Sequence, residues 1–133
     1  MSIAKIMTTE LITVSPDKKV GELYKTLQSL PIHHLLVVDN EKLVGIISDR
    51  DILKNISPYA NTTAEEAKDR FTIDREAHKV MCSKVITCSP SASIRDAASM
   101  LLEHNISLLP VTTKDNTLVG VLSWKDILRY LTN

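Results

Sequence analysis

Hydrophobic and polar positions follow the same order of elements twice along this chain. In the first copy, residues 11–14 form a short apolar run typical of a strand, closed by a Ser-Pro pair. Residues 18–30 place apolar side chains at spacings of three and four, which predicts an amphipathic helix. Residues 32–47 are two apolar runs around a polar turn, which predicts a hairpin, and residues 48–55 predict a second helix.

The order strand, helix, strand, strand, helix returns after residue 80 with an offset of 74 residues. The offset becomes 75 beyond the second hairpin turn, and an insertion confined to a turn is what a structural repeat tolerates. The sequence therefore predicts one compact module with repeat 1 at residues 1–61 and repeat 2 at residues 80–133. Residues 62–79 are predicted to form a connecting helix.

The connecting helix is expected to run from residue 64 to about residue 79. A threonine at its start, followed three residues later by glutamate, can form a capping box. The side chains predicted on its inner face are those of Ala67, Phe71, Ile73 and Ala77.

Each repeat has a serine and an aspartate three residues apart, directly after its last strand. These are Ser48 with Asp51 and Ser123 with Asp126. Serine is a strong N-cap residue and the aspartate can complete a capping box. Free N–H groups at a helix start also suit a phosphate, with the carboxylate beside it for a sugar. Each pair is therefore a candidate ligand site, a helix cap, or both.

Composition narrows the classes of function. Hydrophobic residues make up 44% of the 133 residues, which is enough for a core, and 16 basic residues balance 16 acidic ones. That balance argues against a protein that holds nucleic acid through its phosphates. No apolar run reaches the ~20 residues that span a bilayer, so we expect no membrane insertion. Few cysteines and no signal peptide predict a cytoplasmic setting.

Candidate chemistry for catalysis or metal binding is sparse. Cys82 and Cys88 do not form a close ligand pair, and adjacent His33 and His34 in a strand would point to opposite faces. We therefore expect no metal site. A nucleophile elbow, a P-loop and a dinucleotide fingerprint do not occur in the sequence. The sequence predicts a protein that is not an enzyme and has no catalytic residues.

The paired motifs, together with the hydrophobic-Thr-x-Ser-Pro segment that opens each repeat, resemble tandem cystathionine beta-synthase (CBS) domains, often called a Bateman module. The resemblance covers essentially the whole chain and is to a stand-alone bacterial-type module. It implies an α/β (α+β) fold in which two repeats pack sheet to sheet about a pseudo-two-fold axis. It also implies adenosine-containing ligands in clefts between the repeats.

The resemblance implies roles for particular residues. The aspartates would contact ribose, and the serines and helix starts would contact phosphate. His33 and His34 match positions that hold phosphates in related kinase regulatory subunits, whereas Ser107 and Leu108 occupy those positions in the second half. Arg50 and Lys125 could reach phosphates or remain solvated. The base would lie against Ile12, Thr13, Ile32 and Leu36 in one half, and against Ile86, Thr87, Ile106 and Pro110 in the other.

We therefore expect a regulatory protein that binds AMP, ADP, ATP or S-adenosylmethionine and signals by a change of conformation or assembly. It would need no cofactor, form a homodimer, and act on an effector protein that the sequence does not identify. The alternative is a structural or protein-interaction module with empty clefts. Trp124 could stack on an adenine or anchor a buried or dimer contact.

Overall fold

The computed structural model describes residues 1–60 and 62–133, so the predicted boundary at residue 61 lies outside the described residues. The predicted mixed α/β class is confirmed. The first half contains a 3-10 helix (Ile3–Lys5), β1 (Thr13–Val14), α1 (Val20–Ser29), β2 (His34–Asp39), β3 (Lys42–Ser48) and α2 (Asp49–Asn55). The second half contains α3 (Ala67–Asp74), α4 (Ala77–Val80), α5 (Ile94–Glu103), β4 (Leu108–Thr112), β5 (Leu118–Ser123) and α6 (Trp124–Thr132).

The chain folds into two compact units that do not simply follow the two repeats. The unit of the first repeat contains Ile12–Asn40 and Val44–Val85, and the unit of the second repeat contains Met1–Leu11, Glu41–Leu43 and Ile86–Asn133. Each unit has its own aliphatic core, centred on Leu23, Leu35 and Ile47 in one and on Leu101, Leu109 and Leu122 in the other. The chain therefore begins in the unit of the second repeat, where Ile3 is fully buried.

The strands of each repeat form a small sheet. In the first repeat the strand order is β1-β2-β3, and β1 lies parallel to β2. Asn40 and Glu41 connect β2 to β3 with φ values of 50° and 69°, the left-handed pair that a tight two-residue hairpin turn requires. In the second repeat β4 and β5 form an antiparallel pair.

The predicted first strand of the second repeat is wrong, because only a single parallel bridge forms there. Cys88 donates its N–H to the Pro110 carbonyl at 3.0 Å and accepts from the Thr112 N–H at 2.9 Å. Pro110 has no N–H with which to extend the ladder toward Ile86. The first repeat has Leu36 at the matched position, and Leu36 pairs with Thr13 in a two-residue strand.

The predicted single connecting helix is also wrong. The segment forms α3 and α4, with extended backbone at Arg75 and Glu76 between them. Those two residues pair with the start of α1 instead, because the Val20 N–H donates to the Arg75 carbonyl at 2.8 Å. The cap differs too, since Glu66 and Asp69 form the capping box of α3.

The inner face of the connecting segment was predicted only in part. Ile73 and Ala77 are buried, as predicted, whereas Ala67 and Phe71 are exposed. Asp69 is buried in their place, and its carboxylate accepts a hydrogen bond from the Ser57 hydroxyl at 2.6 Å. This bond is the main reason that the pKa of Asp69 lies below its usual value.

Gly45 in β3 and Gly120 in β5, each three residues before its motif serine, permit a close approach by a methionine. A Cβ on Gly45 would lie 2.3 Å from the sulfur of Met81, and a Cβ on Gly120 would lie 2.6 Å from the sulfur of Met7. Both distances are far below van der Waals contact, so any larger residue would displace the methionine. The two methionines stand 74 residues apart, so this packing is part of the repeat.

Candidate functional site

The first motif site, formed by Ser48, Arg50 and Asp51, lies where β3 ends and α2 begins. The Ser48 hydroxyl accepts a hydrogen bond from the Asp51 N–H at 3.1 Å, and the Ser48 N–H donates to Asp51 Oδ2 at 3.0 Å. The predicted capping box is therefore confirmed. Within residues 1–60 and 62–133, Asp51 Oδ1 has no hydrogen-bond partner, so one carboxylate oxygen is available to a ligand hydroxyl.

The second motif site, formed by Ser123, Lys125 and Asp126, has the same capping box at the start of α6. Its carboxylate differs in being almost fully buried and surrounded by donors. Asp126 Oδ2 accepts from the Ser123 N–H at 2.9 Å and from its hydroxyl at 3.1 Å. Asp126 Oδ1 accepts from the Thr8 hydroxyl at 3.2 Å and lies 3.3 Å from Arg129 Nη1. Both oxygens are therefore engaged by protein groups.

Thr8 reaches Asp126 because the segment before β1 pairs with β5. The Thr8 N–H donates to the Val121 carbonyl at 2.8 Å, and the Val121 N–H donates to the Thr8 carbonyl at 2.9 Å. Cys82 makes the same pair of backbone bonds to Ile46 in the unit of the first repeat, at 2.9 and 3.0 Å. Thr8 and Cys82 therefore hold equivalent positions beside the two motif sites.

The site residues predicted from the sequence do not include Thr8 and Cys82. The repeat offset aligns Met7 with Met81, and the next residue on each side was the signal that could have found them. The Cys82 thiol contacts the Lys84 carbonyl at 3.7 Å and is exposed. By contrast, Cys88 is buried in a core, and burial raises the pKa of its thiol to about 11.

In both repeats, a residue just before the first hairpin strand (β2 or β4) is hydrogen-bonded to the first residue of the motif helix. In the first repeat, Nδ1 of the exposed His33 lies 3.0 Å from Asp49 Oδ2, and this hydrogen bond lowers the pKa of the Asp49 carboxyl. In the second repeat, Trp124 Nε1 donates to the Ile106 carbonyl at 3.2 Å. His34 is half-buried, and burial lowers the pKa of its imidazole.

The remaining predicted contact residues differ in exposure. Every predicted residue of each half lies within the unit of its own repeat. Leu36 and Pro110 are buried, so their side chains offer no surface to a ligand in this structure. The others are exposed (Ile12, Thr13, Arg50, Ser107 and Lys125) or partly buried (Ile32, Ile86, Thr87 and Ile106).

A shallow pocket of about 220 Å³ lies beside the first motif site rather than at it. It is bounded by the end of α1, by His33 and Asp49, and by Leu53 of α2. Across residues 1–60 and 62–133, no three His, Cys, Asp or Glu side chains are grouped to hold a metal ion. In the same part of the chain, no helix combines the length and apolar character needed to cross a membrane.

Two α/β repeats, each ending in a helix capped by a serine and an aspartate, define a tandem-repeat module. The CBS domain model matches residues 3–58 and 77–133, and the chain belongs to this family. The structure of CBSX2 in complex with AMP is similar, with a TM-score of 0.83, 25% identity, and coverage of 98% of this chain and 96% of that chain.

The CBS domain pair of protein MJ0100 was solved in complex with 5′-methylthioadenosine and S-adenosyl-L-methionine. It is 27% identical, with a TM-score of 0.75, and the alignment covers 99% of this chain and 96% of that one. Inosine-5′-monophosphate dehydrogenase of Methanocaldococcus jannaschii is 32% identical over 126 residues, which are 94% of this chain but only 22% of the enzyme. The chain spans 22%, 43% and 31% of the length of three curated relatives from that archaeon.

Proposed function

We propose that this chain is a regulatory module that binds an adenosine-containing ligand at its motif sites and is not itself an enzyme. The candidate ligands are AMP, ADP, ATP and S-adenosylmethionine. Binding would be read out as a change of conformation or assembly that an effector protein recognises. A ligand can drive such a change only if it binds two conformations with unequal affinity.

The observation that carries the proposal is the open carboxylate oxygen of the first motif site. Asp51 Oδ2 is held by the Ser48 N–H, which fixes the carboxylate, while Oδ1 is left without a protein donor within residues 1–60 and 62–133. Fixed acceptors beside free N–H groups at a helix start match a ribose hydroxyl next to a phosphate. His33, His34 and Arg50 supply nearby groups that can carry positive charge.

The relatives support the ligand class. Two similar CBS-pair structures were solved with adenosine compounds, one with AMP and one with 5′-methylthioadenosine and S-adenosyl-L-methionine. The three ligands share adenine and ribose but differ in charge at the 5′ position. The shared part is what a carboxylate beside a helix cap can recognise, and so the proposal names the adenosine group rather than one nucleotide.

Isothermal titration calorimetry with AMP, ADP, ATP, S-adenosylmethionine and GMP tests the proposal. We expect at least one adenosine compound to bind and Asp51→Asn to weaken it by roughly ten- to a hundredfold, the cost of an unpaired hydroxyl of about 1–3 kcal/mol. Asparagine retains an acceptor for the Ser48 N–H, so this variant preserves the cap. If the parent binds none of the five compounds, the proposal is wrong and the interaction-module alternative is favoured.

We propose that the module pairs with a second copy of itself through the outer faces of its motif helices. Leu53 on α2 and Leu128 on α6 occupy matched positions and are 61% and 54% exposed. Leu102 and Leu131 are exposed as well.

Light scattering should give the mass of a dimer at micromolar concentration. Leu53→Glu with Leu128→Glu should give a monomer, whereas the neighbouring Lys54→Glu should not, and a monomeric parent would refute the pairing.

A further inference from the structure

Thr8 occupies the place at the second motif site where a ligand hydroxyl would have to bind. Its hydroxyl lies 3.2 Å from Asp126 Oδ1 and 3.4 Å from Oδ2. A ribose diol binds a carboxylate by donating to the same oxygens. Because Oδ1 also contacts Arg129 and Oδ2 also contacts Ser123, the carboxylate has little acceptor capacity left.

The first motif site shows the same backbone without that hydroxyl. Cys82 stands in the position equivalent to Thr8, as its backbone bonds to Ile46 demonstrate. A thiol is a weak donor, and the Cys82 sulfur is paired with the Lys84 carbonyl. Lys54, at the position matched to Arg129, makes no ion pair with the described residues. The first carboxylate is therefore open where the second is filled.

We propose that Thr8 is a positioning residue that sets which motif site accepts a ribose. Its hydroxyl competes with the ligand diol at Asp126, so the second site binds adenosine compounds more weakly than the first. Thr8 is itself exposed while Asp126 is buried beneath it, and a ligand can therefore displace the hydroxyl without opening the core. This inference rests on the proposed function, since it concerns ligand choice between the same two sites.

The test exchanges the two matched residues. Thr8→Val removes the hydroxyl but keeps the shape, Thr8→Ser keeps the hydroxyl, and Cys82→Thr installs it beside Asp51. The chain has only three glycines, so the amide signals of Gly45 and Gly120 can report the two sites separately in nitrogen–proton correlation spectra. Each protein is titrated with AMP and with 2′-deoxy-AMP, which lacks one hydroxyl of the diol.

We expect Thr8→Val to raise the AMP affinity reported by Gly120 by about tenfold, equivalent to about 1.4 kcal/mol, and to leave Gly45 unchanged. Thr8→Ser should behave as the parent, and 2′-deoxy-AMP should gain less than AMP. Cys82→Thr should lower the affinity reported by Gly45. The Cys82→Thr measurement does not depend on the folding of a Thr8 variant.

The opposite results are equally clear. If Thr8→Val weakens or does not change AMP binding at Gly120 while Gly45 still responds, Thr8 is not a competitor and the inference is overturned, although the proposed function stands. If AMP moves neither glycine in the parent or any variant, the proposed function fails for AMP and the inference fails with it. A double-mutant cycle of Thr8→Val with Asp126→Ala, which removes every acceptor of that side chain, measures the contact on the free energy of unfolding without ligand, and zero coupling would overturn the inference independently.

Discussion

The two motif sites have the same capping box and backbone pairing, yet their aspartates stand in different surroundings. Asp51 is partly exposed and its carboxylate is held at one oxygen by Ser48. Asp126 is 6% exposed, and its carboxylate contacts Ser123, Thr8 and Arg129. The aspartate of an identical local motif can therefore be open to a ligand in one repeat and fully hydrogen-bonded by protein groups in the other.

The difference shows that groups outside the serine–aspartate motif decide the use of a capped helix start. The groups that fill the second carboxylate come from the beginning of the chain and from the next turn of α6. Neither is part of the serine–aspartate motif. If this comparison is right, substitutions at matched positions should have unequal effects, with stability dominating at the second site and ligand affinity at the first.

The largest difference is expected for removal of each carboxylate. Asp126→Ala leaves the Ser123 N–H, the Thr8 hydroxyl and the Arg129 guanidinium without their common acceptor, and should lower the free energy of unfolding by about 2–4 kcal/mol. Asp51→Ala removes part of an accessible cap and should cost about 1 kcal/mol. Urea denaturation measures both, with Asp126→Asn as the control that keeps an acceptor. Equal losses in the two repeats would contradict the comparison.

Next in size is the effect of filling the two glycine positions. Gly45→Ala and Gly120→Ala should each lower the free energy of unfolding by about 1–3 kcal/mol through overpacking. The loss should be larger at Gly45, where the new methyl group would lie closer to the methionine sulfur. Thermal denaturation of Gly45→Ala with and without Met81→Ala checks the cause. Strictly additive losses would show that the methionine contact is not responsible.

A smaller difference in stability is expected between the two hydrogen bonds at the helix starts, Trp124 to Ile106 and His33 to Asp49. Trp124→Phe removes a neutral hydrogen bond to the Ile106 carbonyl and should cost about 1 kcal/mol at any salt concentration. His33→Gln removes an exposed pair with Asp49, of which the His33 side chain is 78% exposed, and should cost under about 0.5 kcal/mol. Urea denaturation in low and in high salt distinguishes the two contributions, because only the His33–Asp49 pair should weaken with salt. A salt-sensitive Trp124 variant would be the unexpected result.

The smallest effect is a pH dependence confined to the first repeat. Burial lowers the pKa of His34, so the unfolded chain binds the proton more readily than the folded one. The stability from neutral His34 is then complete above its unfolded pKa of about 6.5 and is lost as pH falls through the lower folded value. His34→Leu, which copies the matched Leu108, should flatten the fall between about pH 7 and pH 5. If the free energy of unfolding of parent and variant changes with pH in parallel, His34 is not the cause of the fall.

The secondary structure could be predicted wherever it depended on neighbouring residues. The hairpins and the capping boxes of the two motifs were correct because each joins residues close together in the sequence, whereas the predicted threonine–glutamate cap of the connecting helix was not. The connecting helix was wrong at Arg75 and Glu76, since pairing with the start of α1 outweighed local helix propensity. The missing first strand of the second repeat could have been predicted, because Pro110 has no N–H. Leu36, at the matched position of the first repeat, has one.

By itself, the sequence determined two α/β repeats and placed a serine, a glycine and an aspartate at matched positions in each. It also determined the family, because these residues recur in register over the whole chain. Only the tertiary structure decided that the first residues belong to the unit of the second repeat and that Thr8 meets Asp126 across 118 positions. The reason is physical: a capping box closes over three residues of backbone, whereas the partners of a carboxylate are selected by the packing of segments that no local pattern connects.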